Sequence, residues 1–199
     1  LENLKKTTSE IERNQLYFSD AKSLNLLIHN TNFLKDLCKW PEFLNTNIVN
    51  NYEDINFGIS IYTPQELDII LKSSFLPKFI QLPICFGDFR WHHFIANLSS
   101  ELLGKLNKIE IHARSIFLQG SLLRKSDRHN FAQPLFNSEI ARWWDFVEKS
   151  RDKPYEICLN SIIQNSQIDN INVGINSISE LSTLKQFIES DFVDKDNYD

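Results

Sequence analysis

Apolar and polar residues alternate at period two over Ile109–Arg114, the spacing of a strand with one face turned to a core. Arg114 and Ser115 fall where that strand would end. A loop of small residues containing Gly120 follows, and the chain turns strongly polar over Arg124–Asn130. Four more apolar runs read as strands: Leu24–Asn30, which ends in His29, then Ile55–Tyr62, Phe79–Ile84 and Ile171–Ile175. Pro83 lacks an N–H, so it belongs at a strand terminus or a bulge.

Helical spacing fills the intervals. Thr63-Pro64-Gln65-Glu66 is a capping box with proline at the first helical position, and it predicts a helix burying Leu67, Ile70 and Leu71. Leu98, Leu102 and Leu106 share one helical face, with Lys105 and Lys108 near its C-terminus. Ile140, Trp143, Trp144 and Val147 form a stripe in which the tryptophans read as core. Pro154 opens a helix carrying Cys158 and Ile162. Ser177 and Glu180 cap a closing helix expected to bury Leu181, Leu184 and Ile188. Residues 1–23 suggest a ragged helix and Phe33–Leu44 a short one. The tail 191–199 is acidic and expected to be disordered.

Strand and helix therefore alternate five times, with one extra helix before the last strand. That is a parallel α/β pattern, which suits a barrel or a doubly wound sheet equally. The strand-GxGxxG-helix fingerprint of the open sheet is absent, and only 5 glycines occur.

Composition narrows the choice of function. The 199 residues suffice for one sizeable core, and a single domain over 1–199 is expected. A net charge of −5 without a basic run gives no support to a nucleic-acid groove. Arg124, Lys125 and Arg128, interrupted by Asp127, read as a solvated loop. Cys38, Cys85 and Cys158 show no metal spacing and read as free thiols in a reducing compartment. No long apolar run or signal-like N-terminus occurs, so a cytoplasmic location is expected, with no membrane partner. His92 and His93 would point to different faces of a helix, and no metal is expected there. The chain begins with Leu1 and contains no methionine, which leads to the expectation that it is part of a longer polypeptide.

The segments SLNLLIHN, INFGISIYTPQEL, FIQLPI, IEIHARSIFLQGSLL and INVGINSISEL resemble, in order and spacing, strands four to eight of the aldo-keto reductases. HARSIFLQG looks like a bacterial branch of that family, some of whose members lie in surface-polysaccharide pathways. The resemblance implies a (β/α)₈ TIM-type barrel of which only the C-terminal five βα units are present. A complete barrel of this kind runs to about 250 residues. It also implies an NAD(P)-dependent oxidoreductase that reduces a small-molecule carbonyl or oxidises an alcohol. The family's aspartate, acid tyrosine and lysine lie earlier, in the N-terminal barrel half expected in the parent chain, so this chain alone is expected to be inactive. The alternative is a diverged, non-catalytic barrel fragment with a ligand-binding or structural role.

Carried over residue by residue, the resemblance makes His29 the catalytic candidate, orienting the substrate carbonyl; from the residues alone, a hydrogen-bonded histidine at a strand end with no catalytic task is the favoured reading. Ser60 and Gln81 match positions that hold the nicotinamide carboxamide, although Ile61 stands where many relatives have asparagine. Arg114 takes the place of a tyrosine stacked on the nicotinamide. Ser115 and the loop amides through Gly120 would cover the pyrophosphate. Gly174, Asn176 and Ser177 form the last strand–helix turn, where a structural cap is the plainer reading. Asn176 stands where a Lys or Arg often pairs with the 2′-phosphate of NADP, so the cofactor is NADP or NAD: the family favours NADP, and this residue weakens that preference. Ile84 and Cys85 stand where a tyrosine–asparagine pair is common.

Overall fold

The computed structural model describes residues 24–29, 34, 55–125 and 134–194. The expected helices over 1–23 and 33–44 lie outside these, apart from Leu34. Among the described residues β1 (Leu24–Ile28), β2 (Ile55–Ser60), β3 (Phe79–Pro83), β4 (Glu110–Arg114) and β5 (Asn170–Ile171) form one sheet in that order. β1 pairs with β2, and β2 with β3, in parallel. Six helices accompany them: α1 (Pro64–Lys72), α2 (Arg90–Ala96), α3 (Ser100–Leu106), α4 (Pro134–Lys149), α5 (Pro154–Ile163) and α6 (Ile178–Asp194). The chain divides into two compact units, Leu1–Pro83 with Phe89–His112 and Ile84–Asp88 with Ala113–Asp199.

In the first unit β2 is buried on both faces, as a parallel strand covered on each side must be: Phe57, Ile59, Ser60 and Ile61 are all inside. Gly58 is paired with Phe79, and a Cβ added at Gly58 would be driven into the Phe79 ring. That ring stacks on buried His112, with centroids 4.7 Å apart and planes at 18°. His112 Nε2 lies 3.5 Å from Glu110 Oε2, and Lys78 Nζ lies 3.2 Å from Glu110 Oε1. Lys78 holds the half-buried Glu110 carboxyl below its ordinary range; slight burial opposes this, and His112 adds to it.

The capping box forms as the sequence predicts. Glu66 N–H donates to Thr63 Oγ1, and Glu66 Oε2 accepts from the N–H groups of Tyr62 and Thr63 at 2.6 and 3.0 Å. Leu67, Ile70 and Leu71 are buried. The helix expected through Leu98, Leu102 and Leu106 is instead two short ones. Asn97 closes α2, and Ser99 Oγ accepts the Leu102 N–H at 3.3 Å to open α3. Only Leu106 of that face is buried; Trp91 anchors α2 instead, donating from Nε1 to Pro83 C=O at 2.7 Å. Pro83 ends β3, as its missing N–H requires.

The second unit centres on Leu122, Ile140, Trp143, Trp144, Ile157 and Cys158. Trp143 Nε1 donates to Leu122 C=O at 3.1 Å, tying α4 to the loop after β4. β5 is shorter than expected. Asn172 N–H still donates to Ala113 C=O at 2.7 Å, but Asn172, Gly174, Ile175 and Asn176 are exposed, so the alternation beyond Ile171 has no buried face to serve. α6 also differs from expectation: Phe187 is its buried residue and Leu184 is half-buried, while Leu181 and Ile188 are exposed. The helix continues to Asp194, so the expected disordered tail is helical over 191–194, and 195–199 lie outside the described residues. No described helix is long and apolar enough to cross a membrane.

Two predictions follow from this packing. Gly58→Ala overpacks β2 against the ring of Phe79 and is expected to cost about 1–3 kcal/mol, with Gly58→Ala/Phe79→Leu recovering part of it. Urea titration reads both, and an unchanged midpoint for the single variant would refute the wedge. Burial pushes the Cys158 thiol up to about 12, with Cys85 adding to it. Folding thus favours the protonated thiol, so its contribution is complete below 9.0, the ordinary thiol value, and is lost as pH rises from there toward 12. Denaturation midpoints should fall across that window less steeply in Cys158→Ala. Iodoacetamide at neutral pH should label half-buried Cys85 but not Cys158 until unfolding, as peptide mass mapping would report.

Candidate functional site

Parallel register in the first unit brings three of the sequence candidates to the C-terminal strand ends. Ser60 pairs with Gln81, and Ile61 N–H donates to Gln81 C=O at 2.9 Å. His29 directly follows Ile28, whose partner is Ile59, so its place in register is beside Ser60. His29 is exposed, Gln81 is half-buried, and Ser60 is fully buried. Ser60 Oγ has no hydrogen-bond partner among the described residues. An interior hydroxyl left unpaired costs free energy, so its retention calls for a reason that the core does not supply. Ile61 is buried as completely, on the alternate face of the chain, and serves packing.

The second unit contains a cleft of about 570 Å³. Ser115, Gly120, Gly174 and Asn176 all line it, so two stretches far apart in sequence meet there. The wall after β4 is a run of tight turns with Ser115, Leu118, Gln119 and Gly120 at positive φ. Its turn bonds engage the N–H groups of Leu118, Gly120, Ser121, Leu122 and Leu123. Those of Ile116, Phe117 and Gln119, three lining residues, take no part in these bonds. Successive amides in such mixed-handed turns form concavities that suit anions.

The opposite wall is the turn into α6. There Glu180 N–H donates to Ser177 Oγ at 3.1 Å and Glu180 Oε2 accepts from Asn176 N–H at 2.8 Å. The pair closes the helix end, so Ser177 is a cap and does not line the cleft. Arg114 does not line it either; its Nη1 donates to Ser115 Oγ at 3.3 Å. The guanidinium therefore bears on the cleft through Ser115.

No family model and no curated protein matches this chain. Among solved structures it is similar to the aldo-keto reductase AKR11C1 from Bacillus halodurans in its holo form, at 15% identity and a TM-score of 0.64 over 92% of this chain. The fold is that of an aldo-keto reductase. The chain spans 61% of the length of that structure's chain. The likeness decides between the two architectures open to a parallel α/β sequence, in favour of part of a barrel.

Sequence reasoning missed three lining side chains. Arg124 was read as solvated loop, yet it reaches the cleft, while its neighbour Lys125 pairs with Glu148. Tyr155, on α5, meets Phe187 edge-on at 5.9 Å, and burial followed by Glu156 raises its phenol above the ordinary value, so it stays a neutral donor. Glu180 was read only as a cap. The available signal was the polar face Ser179, Glu180 and Thr183 at the start of α6.

Among the described residues no cluster of metal-ligating side chains occurs. Removing the unpaired hydroxyl should stabilise the ligand-free protein: Ser60→Ala is expected to gain about 1 kcal/mol, read by urea titration without ligand. A loss of stability would show that Ser60 is structurally engaged.

Proposed function

We propose that this chain is the cofactor-binding C-terminal part of an aldo-keto-reductase-type, NAD(P)-dependent oxidoreductase acting on a small-molecule carbonyl or alcohol. What carries the reading is the convergence of Ser115, Gly120, Gly174 and Asn176 on one cleft. In the second unit the amides of Ile116, Phe117 and Gln119, outside the turn bonds, and Arg124 suit the phosphates of the nucleotide. A bound nicotinamide supplies the hydride chemistry.

The chain's own residues take binding and orienting roles. In the first unit, Ser60 and Gln81, each with a donor and an acceptor, are the residues that the resemblance gives to a carboxamide, and Ser60 Oγ has no hydrogen-bond partner among the described residues. His29, exposed at its strand end, can donate a hydrogen bond to a carbonyl oxygen as neutral imidazole. The acid and base partners belong to the N-terminal barrel half of the parent chain, so turnover needs that half. Cys85 and Cys158, neither of them in a disulfide, suit a reducing cytoplasm. Burial of Ile61, which removes one polar contact to the cofactor, favours as second reading a diverged barrel that binds the nucleotide without reducing anything.

Calorimetric titration of the 199-residue chain with NADH tests the binding on which both readings rest. One-to-one binding with a Kd of about 10–100 μM is expected. At Gly174 an added Cβ meets nothing within 4 Å, so Gly174→Leu should fold normally, fill the cleft and weaken binding about tenfold. No saturable binding by folded protein up to about 1 mM NADH would overturn the assignment. Aldehyde reduction by the full-length parent would separate the enzyme from the diverged barrel.

A further inference from the structure

We infer that Cys85 and Cys158 form a thiol–disulfide pair beneath the cleft wall of the second unit, with a small-molecule disulfide as oxidant. Neither thiol lines the cleft, so the pair does not depend on the nucleotide reading. Cys158, on α5, is fully buried among Leu122, Ile140, Trp143, Trp144 and Ile157, and Cys85 packs against that same cluster. Their nearness also shows electrostatically: Cys85 adds to the rise that burial imposes on the Cys158 thiol. Neither is in a disulfide. Cys85 sits on a short turn in which Asp88 N–H donates to Cys85 C=O at 3.0 Å and Gly87 takes a φ of 80°. A bridge needs β-carbons about 3.5–4.5 Å apart, and a thiol on a turn can reach one on a helix with little backbone movement.

The order of reaction follows from exposure. Cys85 is half-buried and open to a small disulfide, whereas Cys158 is sealed in the core. Cys85, as thiolate, attacks one sulfur of the oxidant and expels the other as a thiolate, which takes up the proton that Cys85 gave up. Cys158, on losing its proton, attacks Cys85 Sγ and expels the second thiolate, which is protonated in turn. Two protein thiols are thereby oxidised to one disulfide, and the oxidant is reduced to two thiols.

The consequence lies in what else rests on this core. Phe117 and Leu118 pack against the same cluster, and Phe117 lines the cleft. Leu118 holds a φ of 47°, with its N–H donating to Ser115 C=O at 2.8 Å. Such a turn persists only while its surroundings over-determine it, so the wall keeps its shape as long as the core beneath stays packed. A link from the turn after β3 to α5 restricts local opening of that core, and with it opening of the wall.

The test incubates the folded 199-residue chain with oxidised glutathione and maps its peptides without reduction. A linked Cys85–Cys158 peptide is expected from the wild-type chain, and Cys158→Ala should stop at a glutathione adduct on Cys85. In the linked form the amides of Leu118, Gly120 and Ser121, which make the turn bonds, should exchange hydrogen about threefold more slowly than in the reduced form. An adduct on wild-type Cys85 that never resolves, no reaction at Cys85, or a link that forms only in urea would overturn the pairing. Unchanged exchange in the linked form would overturn its hold on the wall. Each result is read without added nucleotide and so leaves the cofactor assignment to its own titration.

Discussion

A missing side chain governs the first unit. Parallel strands buried on both faces leave little room for error in register, since a one-residue slip sends each side chain to the opposite face. Here the register is set where Gly58 pairs with Phe79: only hydrogen at Gly58 leaves space for the ring, and the ring in turn lies on His112. Two residues on, the same register puts Ser60 opposite Gln81. A packing constraint at the strand centres therefore places the polar groups at the strand ends. The same packing leaves the interior hydroxyl of Ser60 without a hydrogen-bond partner among the described residues.

Features with local signatures were legible in the sequence. The Thr63–Glu66 box, the terminal position of Pro83 and the buried Leu67, Ile70 and Leu71 depend on neighbours within a turn or two, and the sequence contains all the information they need. The tryptophan stripe was equally plain, because two large rings on one helix have few places to go except inside. What escaped depends on partners far along the chain. The split between α2 and α3 turns on one serine cap overriding a leucine periodicity that looked continuous. The closing helix buries Phe187 in place of Leu181 because the neighbour available to it is Tyr155 on α5, which no periodicity names.

The candidate site divides along the same line. Ser115, Gly120, Gly174 and Asn176, named from motif order, share one cleft. Arg124 could not, because a charge in a polar stretch carries no mark of the surface it reaches. Ser177 and Glu180 show the converse. Their spacing signals a cap, and the geometry gives the capping bonds.

That capping redistributes anion recognition within the second unit. A helix start attracts anions through unengaged N–H groups and an uncompensated dipole. Here Glu180 takes the Asn176 N–H, the Ser177 hydroxyl takes the Glu180 N–H, and a carboxylate sits at the positive end. The loop after β4 has the reverse accounting. Its tight turns hold three non-glycine residues at positive φ, a conformation costing roughly 1–2 kcal/mol each, and they leave the amides of Ile116, Phe117 and Gln119 outside the turn bonds. Donor capacity toward an anion therefore lies on the strained wall with Arg124, and acceptor capacity on the relaxed wall with Glu180.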